Sequence, residues 1–472
     1  MVAYTGKGAG MKRILCLAGL MLGATGVFGG PVVVDRVPES TVTALETEMA
    51  SEAQWSVGAD FRLRYVASNN MPTASHGEGG HSEYARFRTR LWGKVTTDRF
   101  EAFVRLGNEF RYYRSPDKDE GKQRFPDVTF LDNLYVTFKE VGGWADVKVG
   151  RQEMVFGSKR IISDGTGGDG SRTNYFDALR ITFDCGNKRS LDAFALYMAR
   201  EDWLPTLGET HDAKSKRKKG YDYDTTGYNQ NEYGAGLYYQ DRSSAALGWD
   251  LYYVFKVEEG RHSTVNPNNG PFHTHTFGTR FLPKFTQTLS GEVELSVQAG
   301  DDALLAFQAY AGVTYAPAWQ MKPKFTLAVH YLSGDRDGAR GEHAWHPVFN
   351  RETGVGDLVA AMFSKNAYTN FLYPHLKVEL TPAENQKVAL QTGPMFAPVE
   401  ENDASGGTYG TFRGYFAQAK YTVAVGKIFA QESVFERMSL SFLGEVLTKG
   451  SYFERDQDDT AVFGQVELTC AF

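Results

Sequence analysis

The stretch "ARFRTRLWGKV", residues 85–95, suits neither a dry core nor open water along its whole length. Arg86, Arg88 and Arg90 fall on one parity, with Lys94 further along. Ala85, Phe87, Thr89, Leu91, Gly93 and Val95 fall on the other. Successive side chains of a strand point to opposite faces, so one face is apolar and the other is a file of guanidinium groups. The alternation recurs. Val57, Ala59, Phe61, Leu63 and Tyr65 interleave with Arg62 and Arg64, and Leu247, Trp249, Leu251, Tyr253 and Phe255 with Asp250 and Lys256. Leu305 to Tyr315 and Tyr415 to Val423 repeat it. Each run is about ten residues, the length that crosses a bilayer at a tilt. Helical periodicity is scarce; only 38–54, "PESTVTALETEMASEAQ", suggests a short helix or a loose lead-in.

The links between runs set the architecture. Tight ones at 96–99, 141–143, 186–188, 241–244, 283–286, 317–320, 382–385 and 426–429 ("GKIF") alternate with longer Gly/Asp/Asn-rich ones, such as 68–82, 114–126, 151–173, 201–230 and 333–370. A further outer link near 299–302 is short. The expected fold is all-β: a single closed antiparallel transmembrane β-barrel of about 18 strands, with short periplasmic turns and long extracellular loops. Closure leaves no unpaired backbone in lipid. Lipid is then what Phe87 and Leu91 pack on, and the arginines face a water-filled interior. Tyr238–Tyr239 and Tyr252–Tyr253 suit the aromatic girdles at the membrane interfaces.

The 472 residues carry a net charge of −6, which predicts no nucleic-acid partner. A mean hydropathy of −0.39 is too polar for a helical membrane protein. "MKRILCLAGLMLGATGVFGG" has Lys12 and Arg13, an apolar run from Ile14 to Val27, then small residues. This reads as a signal peptide over 1–29, with Met11 an alternative start. Residues 30–53 would be a periplasmic extension and 54–472 the barrel. Cys16 falls in the leader; Cys185 and Cys470 read as inert fillers. The last run puts Val462, Val466, Leu468, Cys470 and Phe472 on one parity. Ending on an aromatic residue resembles the signal by which the barrel-assembly machinery recognises its substrates.

Strand parity gives an interior list. Its cations are Arg62, Arg64, Arg86, Arg88, Arg90, Lys94, Arg105, Arg111, Lys148, Arg180, Arg280, Lys324, Lys377, Lys420 and Arg437. Its anions include Glu109, Asp184, Asp250, Glu292, Glu294, Glu379, Glu445 and Glu467. The excess of cations concentrates in the first strands, whose first two supply five arginines with no interior acid among them. Such a tube enriches anions, and the guanidinium fork binds carboxylates bidentately. The bland reading is a ladder of Arg–Glu braces.

The segment 147–184, "VKVGRQEMVFGSKRIISDGTGGDGSRTNYFDALRITFD", resembles the signature of the alginate-export family of outer-membrane porins. The matching positions are Gly150, Arg151, Gln152, Phe156, Gly157, Arg160, Phe176, Asp177, Ala178 and Arg180. The loop departs from the pattern in having no tryptophan over 158–174. The resemblance implies an 18-stranded monomeric barrel whose arginine-rich constriction passes an anionic uronate polymer outward. It adds Arg151 to the pore-lining candidates.

The expected partners are an acidic polysaccharide or oligosaccharide, outer-membrane lipid and lipopolysaccharide, the barrel-assembly machinery and periplasmic export components. No cofactor is expected. Asp164 and Asp169 in "DGTGGDG" have calcium-ligand chemistry, but such loops are as a rule turns. The basic run 214–219, "KSKRKK", lies in an outer loop, and "HTH" at 273–275 lacks a third ligand. The alternative function is an anion-selective or oligosaccharide-uptake porin. An outer-membrane enzyme is disfavoured, because no nucleophile–His–acid set stands out.

Overall fold

The structure is a computed structural model. It describes residues 53–73, 75–114, 129–163, 176–200, 202–205, 207, 230–259, 270–335, 341–350, 354–363, 368–402, 407–426, 437–454 and 459–472. The expected leader, Asp164, Asp169 and the basic run 214–219 lie outside these residues.

Among the described residues, 18 strands form one sheet. The first half comprises β1 (Gln54–Asn69), β2 (Ser82–Thr96), β3 (Phe100–Tyr113), β4 (Thr129–Val141), β5 (Ala145–Gln152), β6 (Phe176–Asp184), β7 (Arg189–Met198), β8 (Glu232–Asp241) and β9 (Leu247–Glu258). The second half comprises β10 (Phe272–Pro283), β11 (Leu289–Gly300), β12 (Leu305–Tyr315), β13 (Lys324–Leu332), β14 (Phe371–Leu380), β15 (Gln386–Phe396), β16 (Phe412–Val423), β17 (Met438–Lys449) and β18 (Ala461–Ala471). Each strand pairs antiparallel with its neighbours in sequence. β1 also pairs with β18, Leu63 lying opposite both Phe87 and Leu468, and this closes the ring. The Phe472 N–H donates to the Ala59 carbonyl at 2.8 Å. No helix among the described residues is long and apolar enough to cross a membrane; the strands do that.

Burial separates the two faces. Val57 is 81% exposed and Leu91 55%, whereas Arg62 is 3% and Arg64 5%. Leu251, Phe277, Leu295, Phe307, Leu327 and Phe442 stand exposed on the outer parity in the same way. They form the apolar band that a bilayer covers.

One expected tight turn is not tight. β16 ends at Val423 and β17 begins at Met438, with Val423 opposite Leu440, so the link is 424–437 rather than 426–429. The alternation stops at Val423 and the ladder stops with it. Arg437, expected on the pore wall, is an exposed residue of this link. Lys324 and Lys420 keep the inner parity but stand exposed at the short-turn end.

Two long loops fold into the barrel. The β5–β6 loop contributes Met154, Phe156, Ile161 and Ile162, and the β13–β14 loop contributes Trp345, Val348, Phe349, Leu358 and Val359. They pack on inward wall residues, among them Tyr238, Tyr252, Tyr373 and Phe416. Ile162–Ser163 pairs parallel with Phe349–Asn350, joining the loops. Glu445 of β17 accepts the backbone N–H groups of Asp357 and Leu358 at 3.0 and 2.8 Å. Those N–H groups open the short helix Asp357–Ala361 and have no intrahelical partner.

At the long-loop end, His76 lies 3.2 Å from Glu401, and Glu401 accepts from Asn370 and Tyr452, both at 2.9 Å. Burial alone would raise the Glu401 carboxyl. The His76 contact, the Arg413 charge and the donors from Asn370 and Tyr452 hold it down at about 2. The stability it contributes is fully present above the ordinary carboxylate value and is lost progressively as pH falls from there to about 2. This clasp ties four outer links together.

Candidate functional site

The inner wall of β1–β3 carries the arginines in register. Arg62 lies opposite Arg88, and Arg64 opposite Arg86. Arg86 in turn lies opposite Arg111. On the next strands Lys148 lies opposite Arg180. Like charges directly opposite cost about 0.2–1 kcal/mol a pair. Unlike charges are also opposed on this wall, Arg64 with Glu467, Arg90 with Asp60 and Arg88 with Glu109, as Arg280 and Glu294 are across β10 and β11.

Carboxylates are nevertheless present. Glu467 meets Arg64 at 2.7 Å and Arg62 at 3.8 Å, and Glu109 meets Arg86 at 2.7 Å. Asp60 takes Arg88 at 3.1 Å and Arg90 at 2.8 Å. This corrects the expectation that the first two strands hold no interior acid: Asp60 shares the parity of Arg62 and Arg64. In these rows six arginines (62, 64, 86, 88, 90 and 111) face three carboxylates (Asp60, Glu109 and Glu467), a surplus of three positive charges. Adding Arg105, which pairs with Asp132 at 2.5 Å and with Glu153, leaves a surplus of two. Lys94 meets Glu101 at 3.6 Å, and Arg111 stands 5.0 Å from the Tyr84 ring centre. Bracing and positive excess therefore coexist on one wall.

Asp132 escapes a parity count for a physical reason. A register shift beside Arg105 and Leu106 marks a β-bulge, and Asp132 and Asn133 are both buried although consecutive. A bulge re-aims a side chain that strict alternation would send outward.

The signature residues build the inward loop and its outer support. Phe156 stacks on Phe194 and Tyr238 at 5.4 and 4.9 Å, beneath the Arg180 guanidinium. Arg180 itself meets Asp192 at 2.8 Å. Gly157 has φ +53°, and a Cβ there would sit 2.1 Å from the Tyr238 hydroxyl, so no other residue lets the loop pass. Arg160 reaches β11, meeting Glu292 at 2.8 Å and Glu294 at 2.7 Å, with its guanidinium 3.5 Å from the Tyr310 ring centre. Phe176 is fully buried against Phe349. The Gln152 amide donates to the Ala178 carbonyl at 3.0 Å, beside Gly150 (φ +117°).

Arg151 departs from its expected place on the pore wall. It pairs in register with Leu134 and Asp177, which share the outer parity with the exposed Leu179. Its guanidinium is buried under the β7–β8 loop, between Asp177 at 2.9 Å and Asp202 at 2.9 Å, and it donates to the Leu131 carbonyl at 3.0 Å. Arg151 and Asp177 strap that loop to the outside of the barrel. On the same outer parity, His273 meets Asp301 at 2.7 Å and His275 meets the Tyr253 hydroxyl at 2.8 Å.

A family model described as "Alginate export" matches residues 53–412. No curated protein sequence matches the chain. Solved structures share the fold at low identity. OccAB2 of Acinetobacter baumannii is 10% identical, with a TM-score of 0.58 over 89% of this chain and 98% of that one. OccK11 (OpdR) of Pseudomonas aeruginosa is 10% identical, with a TM-score of 0.52 over 89% and 96%. OpdK of P. aeruginosa, solved with vanillate, is 10% identical, with a TM-score of 0.53 over 88% and 98%. Taken with the closed 18-stranded barrel and its apolar outer band, the match over most of the chain makes this protein a member of the alginate-export family, a channel of the bacterial outer membrane.

Proposed function

We propose that this barrel exports alginate or a similar acidic glycan, the uronate carboxylates moving along the guanidinium rows of β1–β3. The observation that carries the reading is the register of like charges, Arg62 with Arg88 and Arg64 with Arg86 and Arg111. Those pairs cost stability when the channel is empty, and an anionic chain offsets that cost. The proposal includes a monomeric barrel bedded in lipid and lipopolysaccharide, inserted by the barrel-assembly machinery, with periplasmic export components at the short-turn mouth.

In planar bilayers the channel is expected to prefer anions, and added polyuronate to block current in proportion to dose. Raising salt from 0.1 to 1 M shortens the screening length from about 10 to about 3 Å and should weaken the block strongly. Cation preference together with no block at low salt would reject the proposal. A second reading, uptake of small organic acids, is favoured by the loops folded inside the barrel and by the likeness to OpdK, solved with vanillate. Under that reading vanillate-sized acids permeate and polyuronate leaves the current untouched.

A further inference from the structure

Three rings form an offset-stacked row on the inner wall toward the short-turn end. Trp92 of β2 and Phe103 of β3 have centroids 6.1 Å apart and planes within 28°. Phe103 and Tyr135 of β4 are 5.3 Å apart and within 26°. All three keep the inner parity, and none is buried. The position is unusual because an aqueous wall gains little from half-buried aromatic rings. Trp92 also lies flat for a visible reason: a Cβ on Gly58 of β1 would sit 2.3 Å from its indole ring. The missing side chain lets the ring rest against the wall. Cations border the row. The Lys148 ammonium lies over the Tyr135 ring, 4.1 Å from its centre, and Lys94 lies directly opposite Phe103 in register; Glu101 meets Lys94 at 3.6 Å and accepts from the Tyr135 hydroxyl at 3.3 Å, which leaves one surplus cation at the row. The row continues directly into Arg90 and the arginine rows above it.

We infer that Trp92, Phe103 and Tyr135 form a stacking platform for the pyranose rings of an acidic glycan, at the mouth where the polymer enters. This deepens the acidic-glycan reading and rests on it. A pyranose presents a face of C–H groups that packs on an aromatic ring, and a uronate adds one carboxylate per sugar. The Trp92 and Phe103 rings, with Lys148 over Tyr135 as the surplus cation, match both features. Charge alone would need only the cations.

The test compares single-channel block by polyuronate with block by polyglutamate of equal length, which carries the same charge and no sugar ring. In the wild type the polyuronate dwell time should be about tenfold longer. Phe103→Leu should bring it down to the polyglutamate value, which serves as the internal reference. Gly58→Ala, which tips Trp92 off the wall, should shorten it by a separate route. Heat-modifiable migration on a gel reports that each variant barrel is folded. Equal dwell times in the wild type overturn the platform and leave the charge-based reading standing. A tenfold difference that survives both substitutions also overturns it. If neither polymer blocks, the acidic-glycan reading falls and the platform falls with it.

Discussion

Changing Arg86, Arg88 and Arg90 together to glutamate should turn an anion-preferring channel into a cation-preferring one. The three side chains lie on β2 between Asp60 of β1 and Glu109 of β3. In the wild-type rows six arginines face three carboxylates; in the variant three arginines face six. The local balance goes from three positive charges to three negative. A narrow tube with low-dielectric walls focuses that field, so the permeability ratio should shift by about tenfold or more. The neutral variant, Arg86, Arg88 and Arg90 to glutamine, should fall between the two. Reversal potentials under a salt gradient give the ratio directly. An unchanged anion preference in the glutamate variant would make these arginines braces only.

Arg151→Leu should act on stability and leave ion preference alone. The guanidinium is buried between Asp177 and Asp202, and Trp203 Nε1–H donates to Asp177 at 2.6 Å. Its removal leaves two carboxylates close together without their cation, at a cost of about 3–5 kcal/mol. The β7–β8 loop would lose its strap, and the unfolding midpoint on heating in detergent should drop. Adding Asp177→Asn and Asp202→Asn should recover part of the loss, because the orphaned charges then disappear. A changed reversal potential in Arg151→Leu would place this residue on the conduction path, against the outer parity it shares with Leu134 and Leu179.

Strand alternation and link rhythm were enough to read the barrel, because a two-residue period must persist wherever one face meets lipid and the other meets water. The same rule placed Arg62, Arg64, Arg86, Arg88, Arg90, Arg105 and Arg111 inside. It would also have found Asp60, two residues before Arg62, and it counts Arg151 outward from Lys148. Arg151 enters the pore-lining candidates through the signature, not through its parity. Asp132 was not legible, since a bulge breaks the period without marking the sequence. Nor was the inward folding of the two loops. Ile161, Ile162, Trp345, Leu358 and Val359 are apolar residues in loops expected to face water, which is a signal. Their destination, however, depends on distant partners such as Arg160 with Glu292 and Glu294. The 424–437 link is longer than the sequence suggests because "GKIF" has turn chemistry, while the ladder ends three residues before it.

Passage of the polymer itself separates an exporter of acidic glycan from a pore for small anions. Purified protein is placed in a bilayer between two chambers, fluorescent polyuronate is added to one, and its appearance in the other is measured under an applied voltage. The polymer should cross with wild-type protein, cross far less with the glutamate variant of Arg86, Arg88 and Arg90, and not cross a protein-free bilayer. Wild-type channels that conduct small anions while no polyuronate reaches the far chamber would contradict it.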